Sequence, residues 1–301
     1  MFNTFRPQQY KEYNEARQTF ISDPDCLIEL ENFVSLRLYK SVLENAREIE
    51  EDYNEASYLY PFWQNYPPDK RGRQPIGDQY PWIEVGEHTI GCKLPRLLST
   101  VFNVRDFGLP TGSDQRFVLS HKEIGRITHQ LTQSCWLFVD IKSAGPRDDQ
   151  EHAVMSHNQI SGSGEWIEQL SGTSNRPITA TGKRSSHPFY SSLPPLFVLS
   201  NGTVAPVVVM LIKPLYRMVN LESSSSDGGQ PLDKITIATI PNGLLLQERP
   251  GYITQYPGLF FPGKDDKSKN PLKVRCRVSF SILSRIANWR VRKIDLRDLR
   301  G

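Results

Sequence analysis

The stretch that decides the fold is "CWLFVDIKSAGPRDD", residues 135–149. Cys135 to Val139 form an apolar run of the kind found in the middle of a buried sheet. Asp140 and Lys142 then follow, with only Ile141 between them. Side chains alternate along a strand, so Asp140 and Lys142 share one side, while Cys135, Leu137 and Val139 face the other. A charge at the end of a buried strand needs a partner. The plainest reading of an isolated D-x-K is a structural ion pair.

A second carboxylate changes the balance. "GLPTGSDQRFVL" (108–119) puts Asp114 just ahead of another apolar strand. If the two strands are neighbours, Asp114 and Asp140 converge at one sheet edge. Paired carboxylates resist ionisation unless a cation lies between them. Oxygen ligands of this kind suit Mg²⁺, which keeps several waters and usually takes one or two carboxylates. The backbone carbonyl of Ile141 offers a third oxygen. An acidic residue, 25 intervening residues and D-x-K on a strand resembles the PD-(D/E)xK nuclease core. The residue types fit phosphodiester hydrolysis: the metal activates water and neutralises phosphate oxygens. Lys142 would contact the attacked phosphate and orient the water, or act as the base, although the two carboxylates favour its charged form.

The rest of the chain is consistent with a large globular protein. It has 301 residues, 38% hydrophobic and 10% aromatic, with 22 prolines and 20 glycines, so a mixed α/β protein with many turns is expected. "MFNTFRPQQYKEYNEAR" lacks the apolar core of a secretory signal. The longest apolar run, Val204 to Ile212, is nine residues and contains Pro206. A membrane helix needs about 20 residues, so a soluble, cytoplasmic protein is expected. Cys26, Cys92, Cys135 and Cys276 form no CxxC pair, which argues against both a zinc site and a disulfide framework. His152 and His157 have no carboxylate motif joining them into a metal pair.

Charge is uneven. Residues 1–60 carry 6 basic and 12 acidic side chains, residues 61–263 carry 18 and 17, and residues 264–301 carry 12 and 4. A basic end on a nearly neutral protein suggests contact with a polyanion, against the plainer alternative of a solvated basic tail.

Residues 8–58 read as helical, with apolar positions Leu27, Leu30, Val34, Leu38 and Val42 at helical spacing. The stretch 60–80 reads as loop. Strands are expected at Thr89–Leu94, Arg116–Ser120, Cys135–Lys142, Leu196–Ser200, Thr203–Lys213, Ile235–Ile240 and Lys273–Leu283. Further helices are expected at 93–102, 120–133 and 156–170. The segments 171–188 and 222–233 read as flexible. There is no internal repeat.

Six stretches carry a more specific resemblance: "WIEVGE" (82–87), "GLPTGSDQR" (108–116), "FVDIKSAGPRDD" (138–149), "SLPPLFVLSNGTVAPVV" (192–208), "PNGL" (241–244) and "FPGKDDKSK" (261–269). Together, and in this order, they resemble the BglI family of type II restriction endonucleases over nearly the whole chain. The resemblance implies an α/β fold: a restriction-endonuclease-like core of mixed β-sheet flanked by helices, with loop and strand insertions. It implies one domain over 1–301, comprising an N-terminal helical part (about 8–58), a catalytic core (about 80–215) and a C-terminal DNA-recognition part (about 234–301).

It also implies a Mg²⁺-dependent homodimer acting on double-stranded DNA, with one or two ions per site. Mn²⁺ would substitute, and Ca²⁺ would bind without turnover. The target would be an interrupted palindrome with GCC and GGC half-sites, and a cognate DNA methyltransferase would be a genetic partner. Matched by motif, Asp114, Asp140 and Lys142 form the catalytic set, with Asp114, Asp140 and the Ile141 carbonyl on the metal. Asp148, Lys264, Asp266 and Arg275 are the implied base readers. Arg and Lys donate to guanine and Asp accepts from cytosine N4, which suits G·C pairs. The plainer reading is that these aspartates balance nearby lysines. Glu84 in "WIEVGE" is acidic but has no assigned role. The chain departs from the motif's name in placing Ser113, not proline, before Asp114. A repair or junction-resolving nuclease with the same core, and a DNA-binding protein without catalysis, are the two competing readings.

Overall fold

The computed structural model describes residues 7–57, 80–108, 111–145, 148–167, 172–183, 186–216, 232–263 and 275–299. Helices α1 (Pro7–Ser22), α2 (Pro24–Glu44) and α3 (Ala46–Ser57) open the chain, and α4 (Tyr80–Ser99) follows. The helical reading of 8–58 thus resolves into three helices. Pro24 sits in the first turn of α2, where its missing N–H costs nothing.

The strands are β1 (Asn103–Asp106), β2 (Gln115–Ser120), β3 (Ser134–Ile141), β4 (His152–Met155), β5 (Glu165–Ile167), β6 (Gly172–Ser174), β7 (Ile178–Thr181), β8 (Ser186–Phe189), β9 (Leu196–Val198), β10 (Val204–Tyr216), β11 (Leu232–Ile240), β12 (Phe260–Pro262), β13 (Cys276–Ser279) and β14 (Val291–Asp295). Among the described residues, the main sheet has seven strands in the order β1-β2-β3-β10-β11-β14, with β9 also on β10. β3 and β10 run parallel, and their other partners run antiparallel. The sheet is therefore mixed, as expected.

Both faces of this sheet are covered, and the alternation of its side chains shows it. Val207, Val209 and Leu211 join one apolar cluster with Trp136 and Phe138, while Val208, Met210 and Ile212 join the other with Leu137 and Val139. The second cluster also takes Leu30, Val34, Leu38 and Val42 from α2 and Ile90, Leu94 and Leu98 from α4. The first is closed by α1 and by the small sheet β12-β13-β4. Burial on both faces is why every residue of β3 is buried. A buried ion pair joins the two ends of the chain. Glu31 of α2 accepts from Arg290 Nη2 at 2.8 Å and from the Asn242 backbone N–H at 2.6 Å.

Four local expectations need correction. Thr89–Leu94 is not a strand but the middle of α4. Its glycines let α4 lie close against β3: a Cβ on Gly91 would fall 2.8 Å from the Gln115 amide and 3.4 Å from Ile141 Cδ1. Tertiary packing here overrides the β-branched pair Thr89–Ile90. The described part of 156–170, up to Ile167, is not a helix. A Ser156–Gln159 capping box starts one 3₁₀ turn at His157–Gln159, but Gly164 adopts a left-handed φ of 58° and the chain turns into β5. The expected helix at 120–133 stops at Ile127, followed by positive φ at His129 and Gln130. In the described part of Lys273–Leu283, from Arg275 on, the strand is limited to β13 and helix follows over Phe280–Ile286.

The described part of 171–188 forms the strands β6, β7 and the start of β8, paired in the hairpins β5-β6 and β7-β8. The loop expected at 60–80 falls mainly outside the described residues, as does most of 222–233. Among the described residues, no helix is long and apolar enough to cross a membrane.

Candidate active site

The site lies where β2 begins and β3 ends. In the antiparallel β2–β3 register Gln115 faces Val139, so one step further Asp114 comes level with Asp140. Asp114 Oδ2 accepts the Ile141 backbone N–H at 2.6 Å. The N–H and C=O of one strand residue point the same way, so the Ile141 carbonyl is directed to the Asp114 side. The next N–H, that of Lys142, turns the other way and donates to Ile212 of β10 at 2.9 Å. The side chain of Lys142 returns over Asp140, with Nζ 2.6 Å from Oδ2. The structure therefore brings Asp114, Asp140, Ile141 and Lys142 together.

Asp140 is only 2% exposed, but the Lys142 side chain is 32% exposed and Asp114 is half-buried. The cluster is thus dry at its base and open at its rim. Burial pushes the Asp140 carboxyl up to about 7. Lys142 opposes this, while the negative charges of Asp114 and Glu87 add to it. A buried carboxylate beside a second carboxylate and a backbone oxygen is a hard, oxygen-rich donor set, suited to a divalent cation such as Mg²⁺.

Supporting residues hold this geometry. Arg116 donates to Thr111 Oγ1 at 3.1 Å and to the Thr111 carbonyl at 3.2 Å, bracing the turn before Asp114. On the helix side, a Cβ on Gly86 would fall 1.7 Å from Ser143 Oγ and 2.6 Å from the Tyr53 hydroxyl. Only glycine lets α4 pack so closely on the residue that follows Lys142.

Glu87, next along α4, was missed by sequence reasoning, which singled out Glu84 in the same stretch. The two are one helical turn apart, so either could have been chosen on spacing. The Glu84 side chain falls outside the described set. Lys213 was also missed. It is 8% exposed, three residues before the end of apolar β10, and its Nζ donates to the carbonyls of Asp149 and of His152, the latter at 2.6 Å. Burial lowers its pKa from the ordinary lysine range. The test applied to Asp140, a charge near the end of a buried strand, would have found it.

Of the implied base readers that the structure describes, Asp148 lines a cleft beside Lys142. Asp148 is exposed in the loop after β3, and its Oδ2 accepts from the Gly145 N–H at 2.7 Å. The cleft is also lined by Asp149, His152, Lys213 and Arg277. Arg275 is exposed just before β13, and its carbonyl accepts from Gly263 at 3.2 Å. Lys264 and Asp266 lie outside the described residues. β13 pairs with β4, which follows the loop carrying Asp148, so the C-terminal segment is anchored beside the site.

Among the described residues, Asp23, Cys26 and His129 also form a cluster with metal-ligand chemistry. Hydrogen bonding accounts for it. The Cys26 thiol donates to Asp23 at 3.0 Å, and burial with the adjacent carboxylate pushes Cys26 up to about 12, which keeps it a thiol. The four cysteines are free, with Cys92 exposed and the others buried.

Comparison with known proteins identifies the family and the fold. The family described as restriction endonuclease BglI matches residues 8–294. The type II restriction enzyme BglI of Bacillus subtilis is 45% identical over 300 residues, spanning 98% of this chain and 99% of that one. The crystal structure of the restriction endonuclease BglI bound to its DNA recognition sequence superposes with a TM-score of 0.89, over 98% of this chain and 99% of the other. The tetrameric restriction endonuclease SfiI, bound to cognate DNA, is 15% identical with a TM-score of 0.55 over 89% of this chain and 83% of the other, a likeness of fold alone. A matched sequence over nearly the whole length, on the same fold, leads to one conclusion: this chain belongs to the BglI family of type II restriction endonucleases.

Proposed function

We propose that the protein cleaves both strands of DNA at an interrupted palindrome with GCC and GGC half-sites, using Mg²⁺ and leaving 5′-phosphate and 3′-hydroxyl ends. The observation that carries this reading is the meeting of Asp114, Asp140 and Lys142 at the open end of β2 and β3, in a chain of this family.

In this reading Asp114, Asp140 and the Ile141 carbonyl hold one or two Mg²⁺ ions, with Mn²⁺ substituting and Ca²⁺ supporting binding only. Bound Mg²⁺ lowers the pKa of water and neutralises charge on the phosphate. Asp140 stays ionised at working pH once a cation offsets the burial and the like charges that raise it. Lys142 turns from Asp140 to the scissile phosphate and orients the attacking water. Glu87 adds negative charge at the same pocket.

Asp148, Lys264, Asp266 and Arg275 read the half-site, with bidentate donors on guanine and carboxylates on cytosine. A palindrome read by identical subunits implies a two-fold homodimer. One domain over 1–301 is supported by a main sheet that takes strands from both the 80–215 and the 234–301 parts. The setting is a prokaryotic cytoplasm with a cognate methyltransferase protecting host DNA.

The test is to digest a long DNA of known sequence with Mg²⁺ and sequence the fragment ends. Discrete ends flanked by one repeated interrupted palindrome are expected. Smeared products, or cutting only at branched structures, would overturn the specificity. Intact DNA with either Mg²⁺ or Mn²⁺ would overturn the catalytic reading.

A further inference from the structure

We infer that Gln159 is a positioning residue for both metal-binding carboxylates; this rests on the proposed function. Gln159 is 5% exposed and sits at the end of the single 3₁₀ turn after β4. Its side-chain nitrogen has two donors and uses both. One goes to Asp140 Oδ1, while Lys142 Nζ lies 2.6 Å from Oδ2. The other goes to the Gly112 carbonyl at 2.9 Å, two residues before Asp114. Its carbonyl oxygen is also engaged, accepting the Ser156 N–H at 2.8 Å. One amide therefore spans the two chain segments that carry the acidic pair, and it is itself fixed by its own turn.

This arrangement has a chemical consequence. With Oδ1 held by Gln159, the Asp140 carboxylate cannot rotate freely, and Oδ2 is aimed at the open side where Lys142 lies. The tie to Gly112 fixes the turn that sets the height of Asp114. Asn158 strengthens that seam: its carbonyl accepts from Gly112 at 3.4 Å, and a Cβ on Gly112 would fall 2.1 Å from Asn158 Oδ1. A glutamine serves here where a lysine would not. It donates to a carboxylate without adding a charge, so the pocket keeps its attraction for a cation. Groups that orient the ligands of a metal typically change its affinity 10- to 100-fold when removed.

The experiment uses full-length protein carrying Gln159→Met, which keeps length and volume but removes both donors. Ca²⁺ is titrated into protein mixed with a duplex carrying the target found by end sequencing, and binding is read by fluorescence anisotropy. The Ca²⁺ midpoint is expected to rise about 10-fold or more, with metal-free DNA binding little changed. The Mg²⁺ midpoint for cleavage should rise in parallel, with activity recovering at high Mg²⁺. A Ca²⁺ midpoint within two-fold of the unaltered protein overturns the inference. So does a uniform loss of activity that no Mg²⁺ concentration restores in a folded variant.

If Gln159→Met does not fold, the unaltered protein still gives an answer. The Gln159 side-chain amide resonances, followed by ¹⁵N NMR, should shift on Ca²⁺ addition with DNA present, and unchanged resonances overturn the inference. Failure of the unaltered protein to respond to Ca²⁺ or Mg²⁺ would instead sink the proposed function, so the two failures are distinct.

Discussion

Replacing Asp140 by asparagine should make the metal-free protein more stable while abolishing cleavage. Asp140 is buried, and its carboxyl is pushed up to about 7 by burial, with Asp114 and Glu87 adding to the cost of ionising it. In the unfolded chain the same group titrates near ~4. Between these values the folded protein holds a proton that the unfolded chain has lost. The stability this contributes is therefore fully present below about pH 4 and is lost as pH rises through about 7. A difference of roughly 3 pH units corresponds to on the order of 4 kcal/mol at pH 8.

The substituted amide would resemble the uncharged acid and escape that cost. Lys142 loses its partner, but its side chain is 32% exposed and can turn to water, so this loss subtracts at most ~1 kcal/mol. The net gain should be about 2–4 kcal/mol, or several degrees in melting temperature for a chain of this size. The assay is thermal and urea unfolding at pH 8 in EDTA, at fixed protein concentration, and then with Ca²⁺. Ca²⁺ should stabilise the unaltered protein and leave Asp140→Asn almost unmoved. An Asp140→Asn variant equally or less stable in EDTA would refute the reasoning, because Asp140 would then not carry an electrostatic cost.

Other consequences follow from neighbouring contacts. Lys142→Ala should retain Ca²⁺-supported DNA binding yet lose cleavage by at least ~100-fold, measured by single-turnover gel assay. Gly86→Ala puts a methyl group 1.7 Å from Ser143 Oγ, so either α4 or the Ser143 and Tyr53 side chains must shift; unfolding and single-turnover assays should show a loss of about 1–3 kcal/mol and a marked fall in cleavage. Glu31→Ala leaves the fully buried Arg290 guanidinium unpaired and should cost about 3–5 kcal/mol in urea unfolding, with no change in Mg²⁺ midpoint for the folded fraction. In metal-free buffer the stability of the unaltered protein should fall between about pH 4 and 7 through Asp140, a slope absent in Asp140→Asn.

The strands that build the site were legible because their physics is local. β3 announces itself by a fully apolar run ended by charges, and β2 by an acidic turn before Phe117 and Val118. Their adjacency needed only the assumption that an orphan carboxylate finds a partner. What the sequence hid was set by distant contacts. The helix over Tyr80–Ser99 contains a stretch that reads as strand, and its close glycines make sense only once Ser143 and Ile141 are known to lie opposite. Gln159 gives no hint of its target, because an uncharged amide in a polar segment can bond to anything nearby. Lys213 was hidden in plain view, as a cation near the end of an apolar strand whose partners are backbone carbonyls. The base readers rest on resemblance alone: two lie outside the described residues, and Asp148 binds its own loop.

The central claim is that Asp114, Asp140 and the Ile141 carbonyl together hold a divalent ion beside Lys142. Anomalous diffraction from crystals of the protein with its DNA target and Mn²⁺ tests it most directly. A strong Mn²⁺ peak should lie between the two carboxylates, within bonding distance of both and next to a DNA phosphate. A peak bound elsewhere, with Asp140 still paired to Lys142, would contradict the account.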